Sequence, residues 1–171
     1  MKNALVILLG LIMTLSSCQK TEKTAFIDLD KVVEEYQLMN RIKEDFKAKE
    51  DAFNKKFDSI ARNFQQKVQN FQAKANRMNQ AKAQKQYEQL MMEQQSIQMA
   101  QQQEAQKLQE ELEKAMEEAS DKLKDFIKDY GKKNDYTYIF SRSELAGIAY
   151  GKDEKDITDE LIDALNETVK K

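Results

Sequence analysis

The sequence predicts an α+β protein in which a small β-sheet body carries a long antiparallel α-helical hairpin. Three observations lead to this fold class. Residues 31–130 contain neither glycine nor proline, which suits unbroken helices. Apolar residues in this segment recur every three or four positions, the period of an α-helix. Short segments of alternating polarity, typical of strands, flank it on both sides.

The chain begins with an export signal, which we assign to residues 1–17. Lys2 is followed by an apolar run from Ala4 to Leu15, too short for a comfortable membrane span. The pattern Leu15-Ser16-Ser17-Cys18 then resembles the lipobox of bacterial lipoproteins. That resemblance implies lipidation of Cys18, the single cysteine, and makes residues 18–24 a lipidated tether. Ordinary signal cleavage that leaves a free thiol is the alternative.

The body is predicted from residues 25–30 and 136–171. AFIDLD (25–30), YTYIF (136–140) and GIAY (147–150) are candidate strands, and a C-terminal helix follows with Asp156 or Thr158 as its N-cap. So small a unit rarely buries enough apolar surface alone, and its strand edges invite pairing with another chain. We therefore expect an oligomer whose bodies join. The residues expected in the body or oligomer core are Phe26, Ile27, Leu29, Tyr138, Phe140, Ile148 and Tyr150.

The arm is predicted to span residues 31–135 as a helical hairpin. One apolar stripe runs from Phe53 to Met78 and a second from Leu108 to Tyr130, and the two would face each other if the chain folds back. Strands at both ends of the arm require such a return, which places the tip near residues 78–88. A single helix about 150 Å long is the alternative, but it would separate the strands.

The predicted tip of the arm is basic. Residues 62–86 hold six Lys or Arg and no acid, whereas residues 88–130 hold eleven acids and five lysines. Three interpretations stay open: a solvated face, contact with anionic lipid headgroups, or contact with acidic client segments. The cationic residues are Arg62, Lys67, Lys74, Arg77, Lys82 and Lys85.

Methionine and glutamine mark the middle of the arm. Sixteen glutamines lie between Gln65 and Gln109, where the apolar stripe thins. Met91, Met92 and Met99 lie in the same region, and methionine suits surfaces that accept varied partners. These three are possible client contacts, although ordinary helix core is the other interpretation.

Composition argues against several classes of function. Histidine is absent and the one cysteine belongs to the N-terminus, so the usual zinc or transition-metal ligands are missing. No nucleophile–base arrangement or glycine-rich phosphate loop occurs, and we expect no enzyme, cofactor or metal. An exported bacterial protein meets little DNA, so nucleic acid is not an expected partner.

The sequence resembles the Skp/OmpH family of bacterial envelope chaperones. The match is carried by TAFIDLDKVVEEYQL, by the uninterrupted helical middle, and by the ending YTYIFSRSELAGIAYGKDEKDITDELIDALN. The resemblance implies a homotrimer with a β-barrel body and three helical arms that enclose a cavity. It also implies a periplasmic holdase that binds unfolded outer-membrane proteins without ATP and prevents their aggregation. Members are often soluble, whereas the lipobox implies that this chain is anchored on the periplasmic side of a membrane.

A second hypothesis comes from another class of protein: a structural envelope lipoprotein whose coiled hairpin spaces or tethers membranes. A spacer would need a continuous apolar seam and no cavity. The interrupted seam between residues 90 and 105 and the small β body favour the holdase.

Overall fold

The structure is a computed structural model that describes residues 22–143 and 147–170. Cys18 lies outside the described residues. Two short strands, two long helices and two short helices make up most of the described chain. In chain order the elements are β1 (Thr24–Asp28), α1 (Leu29–Glu35), α2 (Gln37–Ala75), α3 (Gln80–Lys133), β2 (Tyr138–Arg142), a 3₁₀ turn (Asp153–Lys155) and α4 (Thr158–Val169). This arrangement confirms the predicted fold class of a small sheet with a long helical hairpin.

The hairpin turns at residues 76–79, at the N-terminal edge of the range 78–88 in which the tip was placed. Two asparagines bracket the turn. Asn76 follows the last residue of α2, and the Asn79 side chain accepts a hydrogen bond from the Lys82 backbone amide at 3.2 Å. An asparagine N-cap starts a helix without any Pro-Gly signal, and so the turn is easy to miss in the sequence.

β1 and β2 form a parallel two-stranded sheet in which Thr24 pairs with Tyr138 and Asp28 with Arg142. The strand predicted at residues 25–30 ends earlier, at Asp28. The Asp28 carboxylate accepts a hydrogen bond from the Lys31 amide at 3.1 Å and caps α1, so Leu29 already belongs to a helix.

The expectation of a third strand at residues 147–150 is wrong. Gly147 forms an isolated antiparallel bridge with Arg142, and Ile148 to Tyr150 do not continue it. Gly147 has a φ of 126°, which extended strands do not use. The other side of β1 is occupied instead by Asp156, which bridges to Phe26.

The start of α4 differs in detail from the expected N-cap. The residue before the helix is Ile157, which supplies no side-chain cap. The Asp156 carboxylate accepts a hydrogen bond from the Thr158 amide at 2.9 Å and another from the Thr158 hydroxyl. Asp156 therefore satisfies a free amide of the first turn from one residue further out.

The hydrophobic core lies in the body, where α1, α4, β1 and the lower ends of α2 and α3 meet. Val32, Leu161 and Leu165 are the largest fully buried side chains. Met39 from α2 with Ala119 and Leu123 from α3 complete the core. Among the described residues, no helix is both long and apolar enough to cross a membrane.

One polar side chain supports the break between α1 and α2. Asn166 of α4 accepts a hydrogen bond from the Gln37 amide at 2.9 Å and donates one to the Glu35 carbonyl at 3.0 Å. Tyr36 lies between them with an extended backbone, so both groups lack helical partners. Asn166 is almost fully buried and fixes where the arm leaves the body.

Candidate functional site

The arm is held together by an apolar seam that is stronger on α2 than on α3. The stripe predicted from Phe53 to Met78 is half-buried at every position except Phe57, which is buried. On α3, the residues that face α2 between Leu90 and Leu108 include Ile97 but also two glutamates. The seam is therefore interrupted at the level that the sequence indicated.

Three interhelical ion pairs cross the seam. Lysines of α2 and glutamates of α3 approach at 3.1 Å (Lys49–Glu111), 2.5 Å (Lys56–Glu104) and 2.6 Å (Lys67–Glu93). The steps of 7 and 11 residues along α2 are repeated in reverse along α3, so all three pairs share one register. The pairs are half-exposed, and exposed pairs contribute only about 0.2–1 kcal/mol each. They select a register more than they add stability.

The ion pair between Lys49 and Glu111 changes the pKa of the glutamate. The hydrogen bond and the positive charge of the Lys49 ammonium lower the pKa of the Glu111 carboxyl below its ordinary value. Glu111 therefore stays ionised over the whole neutral range.

Two shallow apolar grooves lie beside the seam around Phe53 and Leu108. One is lined by Ala52, Phe53, Ala100 and Leu108 and bordered by the first two ion pairs. The other shares Phe53 and Leu108 and adds Phe46 and Leu112. Only two large side chains separate the grooves at this level, so apolar surface is accessible from both faces of the arm.

An exposed apolar stripe follows the outer face of α3. Tyr87, Met91, Met92 and Met99 are 52%, 48%, 63% and 50% exposed. At about 100° per residue, Met92 and Met99 lie roughly opposite the positions that face α2, and Tyr87 and Met91 lie on one flank of the helix. They are therefore no part of the hairpin seam, which removes the helix-core interpretation of the three methionines. Tyr87 was missed in the sequence, although its spacing of four from Met91 was a signal.

The basic residues of the tip differ in their environments. Lys67 is paired with Glu93, whereas the other five make no ion pair with the residues that the structure describes. Lys74 lies in the last turn of α2, where the helix dipole favours a cation. Lys82 lies in the first turn of α3, where the dipole disfavours one and no acid compensates. Helix stability alone does not explain Lys82.

The candidate body residues divide into two groups. Phe26 and Ile27 are buried, and Leu29 is half-buried. Tyr138, Phe140 and Tyr150 are 55%, 46% and 83% exposed, and Ile148 is half-buried. The rings of Tyr138 and Phe140 lie 5.8 Å apart on β2, whose outer edge pairs with no other strand among the described residues. In one chain these aromatic residues form an uncovered surface.

Within residues 22–143 and 147–170, no group of three or more histidine, cysteine, aspartate or glutamate side chains is arranged to hold a metal ion. The described features that carry functional information are surfaces: the outer stripe of α3, the basic tip and the aromatic patch of β2. Such surfaces suit contact with a polypeptide or another large partner.

Comparison with known proteins shows the family to which this chain belongs. The family model described as "Outer membrane protein (OmpH-like)" matches residues 23–165. The crystal structure of a candidate outer membrane chaperone (OmpH-like) from Caulobacter crescentus CB15 superposes with a TM-score of 0.76 at 15% identity, over 87% of this chain and 86% of that chain. At that identity the superposition shows a shared fold. Among curated proteins, none matches the sequence. Because the family model spans most of the chain, the protein belongs to the OmpH-like family.

Proposed function

We propose that this protein is a periplasmic holdase chaperone that binds unfolded outer-membrane proteins between its arms and prevents their aggregation without ATP. The observation that carries the proposal is the exposed apolar stripe of Tyr87, Met91, Met92 and Met99. Four large apolar side chains this exposed within thirteen residues of one helix support an interaction site. Methionine adapts its shape to varied apolar partners, which suits a chaperone with many clients.

Clients are held by many weak contacts. The stripe and the two grooves offer apolar surface at several heights of one arm, and no described site is deep enough to demand one fixed side chain. Each contact contributes little, and the sum retains a chain that stays unfolded. The cations of the tip attract acidic client segments before contact and raise the rate of association.

The functional unit is a homotrimer joined through the bodies. The uncovered aromatic residues of β2 support this proposal, as does its outer edge, which beyond the Gly147 bridge at Arg142 pairs with no other strand of the described chain. Both favour burial against another copy of the chain. Three arms would then surround a common cavity. Lipidation of Cys18 would anchor the assembly on the periplasmic side of a membrane.

The first experiment uses the soluble chain that starts at Gln19. Its mass is measured by light scattering, and its effect on the aggregation of a urea-diluted outer-membrane β-barrel is measured at stoichiometric amounts. A holdase keeps the client soluble. A trimer that leaves aggregation unchanged for every client tested would favour a structural lipoprotein that spaces or tethers membranes.

Two sets of variants locate the contacts. Replacing the exposed stripe with serine should lower the amount of client kept soluble, and three exposed glutamines of α2 provide a matched control. The stripe variant changes Met91, Met92 and Met99, and the control changes Gln65, Gln66 and Gln69. Equal loss in both would show that the stripe is not the contact.

Charge reversal tests the tip. Changing Lys74, Arg77, Lys82 and Lys85 to glutamate should slow client capture most at low salt. A control with the same change of net charge reverses lysines nearer the body: Lys47, Lys55, Lys114 and Lys122. If the control slows capture equally, overall charge rather than the tip attracts the client.

A further inference from the structure

We infer that the lipid-anchored molecule is oriented with the end of its body opposite the arm against the membrane. The arm then points away from the membrane. The tip then presents its cations to acidic polypeptide segments in the compartment, and not to the headgroups of the anchoring bilayer. The inference rests on lipidation of Cys18, which is part of the proposed function. Its structural basis is where the described chain enters the fold and how the arm is directed from that point.

The chain enters at the C-terminal end of α3, which we name the body pole and define by Lys23, Asn134, Tyr136 and Thr137. The Lys23 ammonium donates a hydrogen bond to the Asn134 carbonyl at 2.7 Å and lies 4.1 Å from the centre of the Tyr136 ring. The Thr137 amide donates to the Lys23 carbonyl at 2.8 Å. These contacts fix the start of β1 at the body pole.

From the body pole the strands run towards the arm. The chain reverses after α3: Asp135 has a φ of 57°, and the Tyr136 amide donates a hydrogen bond back to the Gly131 carbonyl at 2.9 Å. Ile139 of β2 lies against Gly131, so β2 returns along the last turns of α3. β1 is parallel to β2 and therefore also points from the body pole towards the arm.

The arm places its tip far from this entry point. α3 has 54 residues and runs from the turn to the body pole. At 1.5 Å per residue it is about 80 Å long. The tether from Cys18 to Thr24 reaches at most about 20 Å, whatever its conformation. The body pole therefore lies close to the anchoring membrane, and an upright arm holds its tip far from it.

The charge distribution of α3 disfavours an arm that lies flat on its α3 side. The last turn of α3, at the body pole, carries Lys132 and Lys133. Residues 88–130, between the body pole and the upper arm, carry eleven acids against five lysines. An arm that lay flat on its α3 side would bring this acidic section against the anionic headgroups, which repel it. The cations of the tip are then free to meet acidic segments of polypeptides in the compartment.

Energy transfer to the membrane surface tests the orientation in the lipidated full-length chain. Because Cys18 is the only cysteine and its thiol is consumed by the lipid, Gln80→Cys and Thr137→Cys each provide a single labelling site, at the tip and at the body pole. Both residues are exposed. Each labelled protein is reconstituted in vesicles of phosphatidylcholine and phosphatidylglycerol that carry an acceptor dye on a headgroup, with a transfer distance well below the arm length.

We expect the donor at position 137 to lose most of its emission, and the donor at position 80 to keep nearly all of it. Equal quenching at the two positions, or stronger quenching at position 80, would overturn the inference. Cys18→Ser, carried in both labelled chains and labelled in the same way, should not float with the vesicles. If it floats and its donor at position 80 is quenched, the tip itself binds the bilayer and the inference is wrong.

The outcome is separable from the test of the proposed function. The soluble chain from Gln19 reports on client binding with no membrane present, so it can succeed while the orientation fails. Conversely, upright anchoring with no effect on client aggregation would support the orientation and contradict the holdase.

Discussion

Replacing Asn166 with alanine tests whether one buried amide sets the junction between body and arm. Asn166 makes two hydrogen bonds, to the Gln37 amide and the Glu35 carbonyl. These two groups lie on either side of Tyr36, where α1 ends and α2 begins. A hydrogen bond of this kind contributes about 1 kcal/mol net, and a buried group left without a partner costs about 1–3 kcal/mol. Because the two backbone groups are only partly buried, we expect a loss of roughly 2 kcal/mol of unfolding free energy.

Urea denaturation followed by circular dichroism measures this loss, at one fixed protein concentration because association couples to stability. With a slope of about 1–3 kcal/mol per molar urea, the midpoint should fall by roughly 1 M. The midpoint of Asn166→Asp should fall at least as far, because its buried carboxylate still accepts from the Gln37 amide but faces the Glu35 carbonyl oxygen, which repels it. Asn63→Ala is the matched control: Asn63 is exposed on the arm, where such changes stay within about 0.5 kcal/mol.

An Asn166→Ala midpoint equal to that of Asn63→Ala would refute this reasoning. It would mean that water or a local shift satisfies the two backbone groups as well as the side chain does. The amide would then have no special role in fixing where the arm leaves the body.

Three further predictions concern the body and the arm. Leu161→Ala removes a fully buried side chain and should cost about 2–5 kcal/mol in the same urea experiment; a loss below 1 kcal/mol would show that the core is not packed as described. Gly151→Ala brings a methyl group to within 2.3 Å of the Phe26 ring, so a cost of about 1–3 kcal/mol is expected; an unchanged midpoint would place the glycine elsewhere. Lys56→Glu should weaken protection of arm amides from hydrogen exchange, and adding Glu104→Lys should restore it; no restoration would mean that the pair does not select the register.

The sequence was sufficient for the features that depend on periodicity. The stripe from Phe53 to Ala75 forms the α2 side of the seam, and the absence of glycine and proline allowed two helices of 39 and 54 residues. These are local or one-dimensional constraints, and periodicity carries them well. That β1 and β2 share a sheet was an expectation from which the return of the chain followed, and their parallel direction became known only with the structure.

Features that depend on side-chain capping or on contacts between distant residues could not be predicted from periodicity. Asn79 turns the arm with a single hydrogen bond, and Asp28 ends β1 two residues before the alternating pattern stops. GIAY (147–150) was expected to be a strand, but the positive φ of Gly147 curves the backbone there. Asn166 acts across 129 residues, and no local pattern announces such a contact.

The sequence predicted only part of the candidate site. The three methionines could be named from composition, but their position outside the seam needed the phase of α3, and Tyr87 became visible only with it. The basic cluster was evident from the sequence. Lys67 forms an ion pair with Glu93, while the cations nearer the turn form none within the described chain. This difference depends on the register of the two helices, which the sequence does not show.

Site-specific photo-crosslinking from the arm tests the central claim most directly. A photoreactive amino acid replaces Met92, the most exposed residue of the stripe on α3, and the protein is irradiated with an outer-membrane β-barrel either diluted from urea or already folded in detergent. A holdase that grips clients with its arm should crosslink to the unfolded barrel and not to the folded one. No crosslink to the unfolded barrel, under conditions where its aggregation is suppressed, would contradict the account.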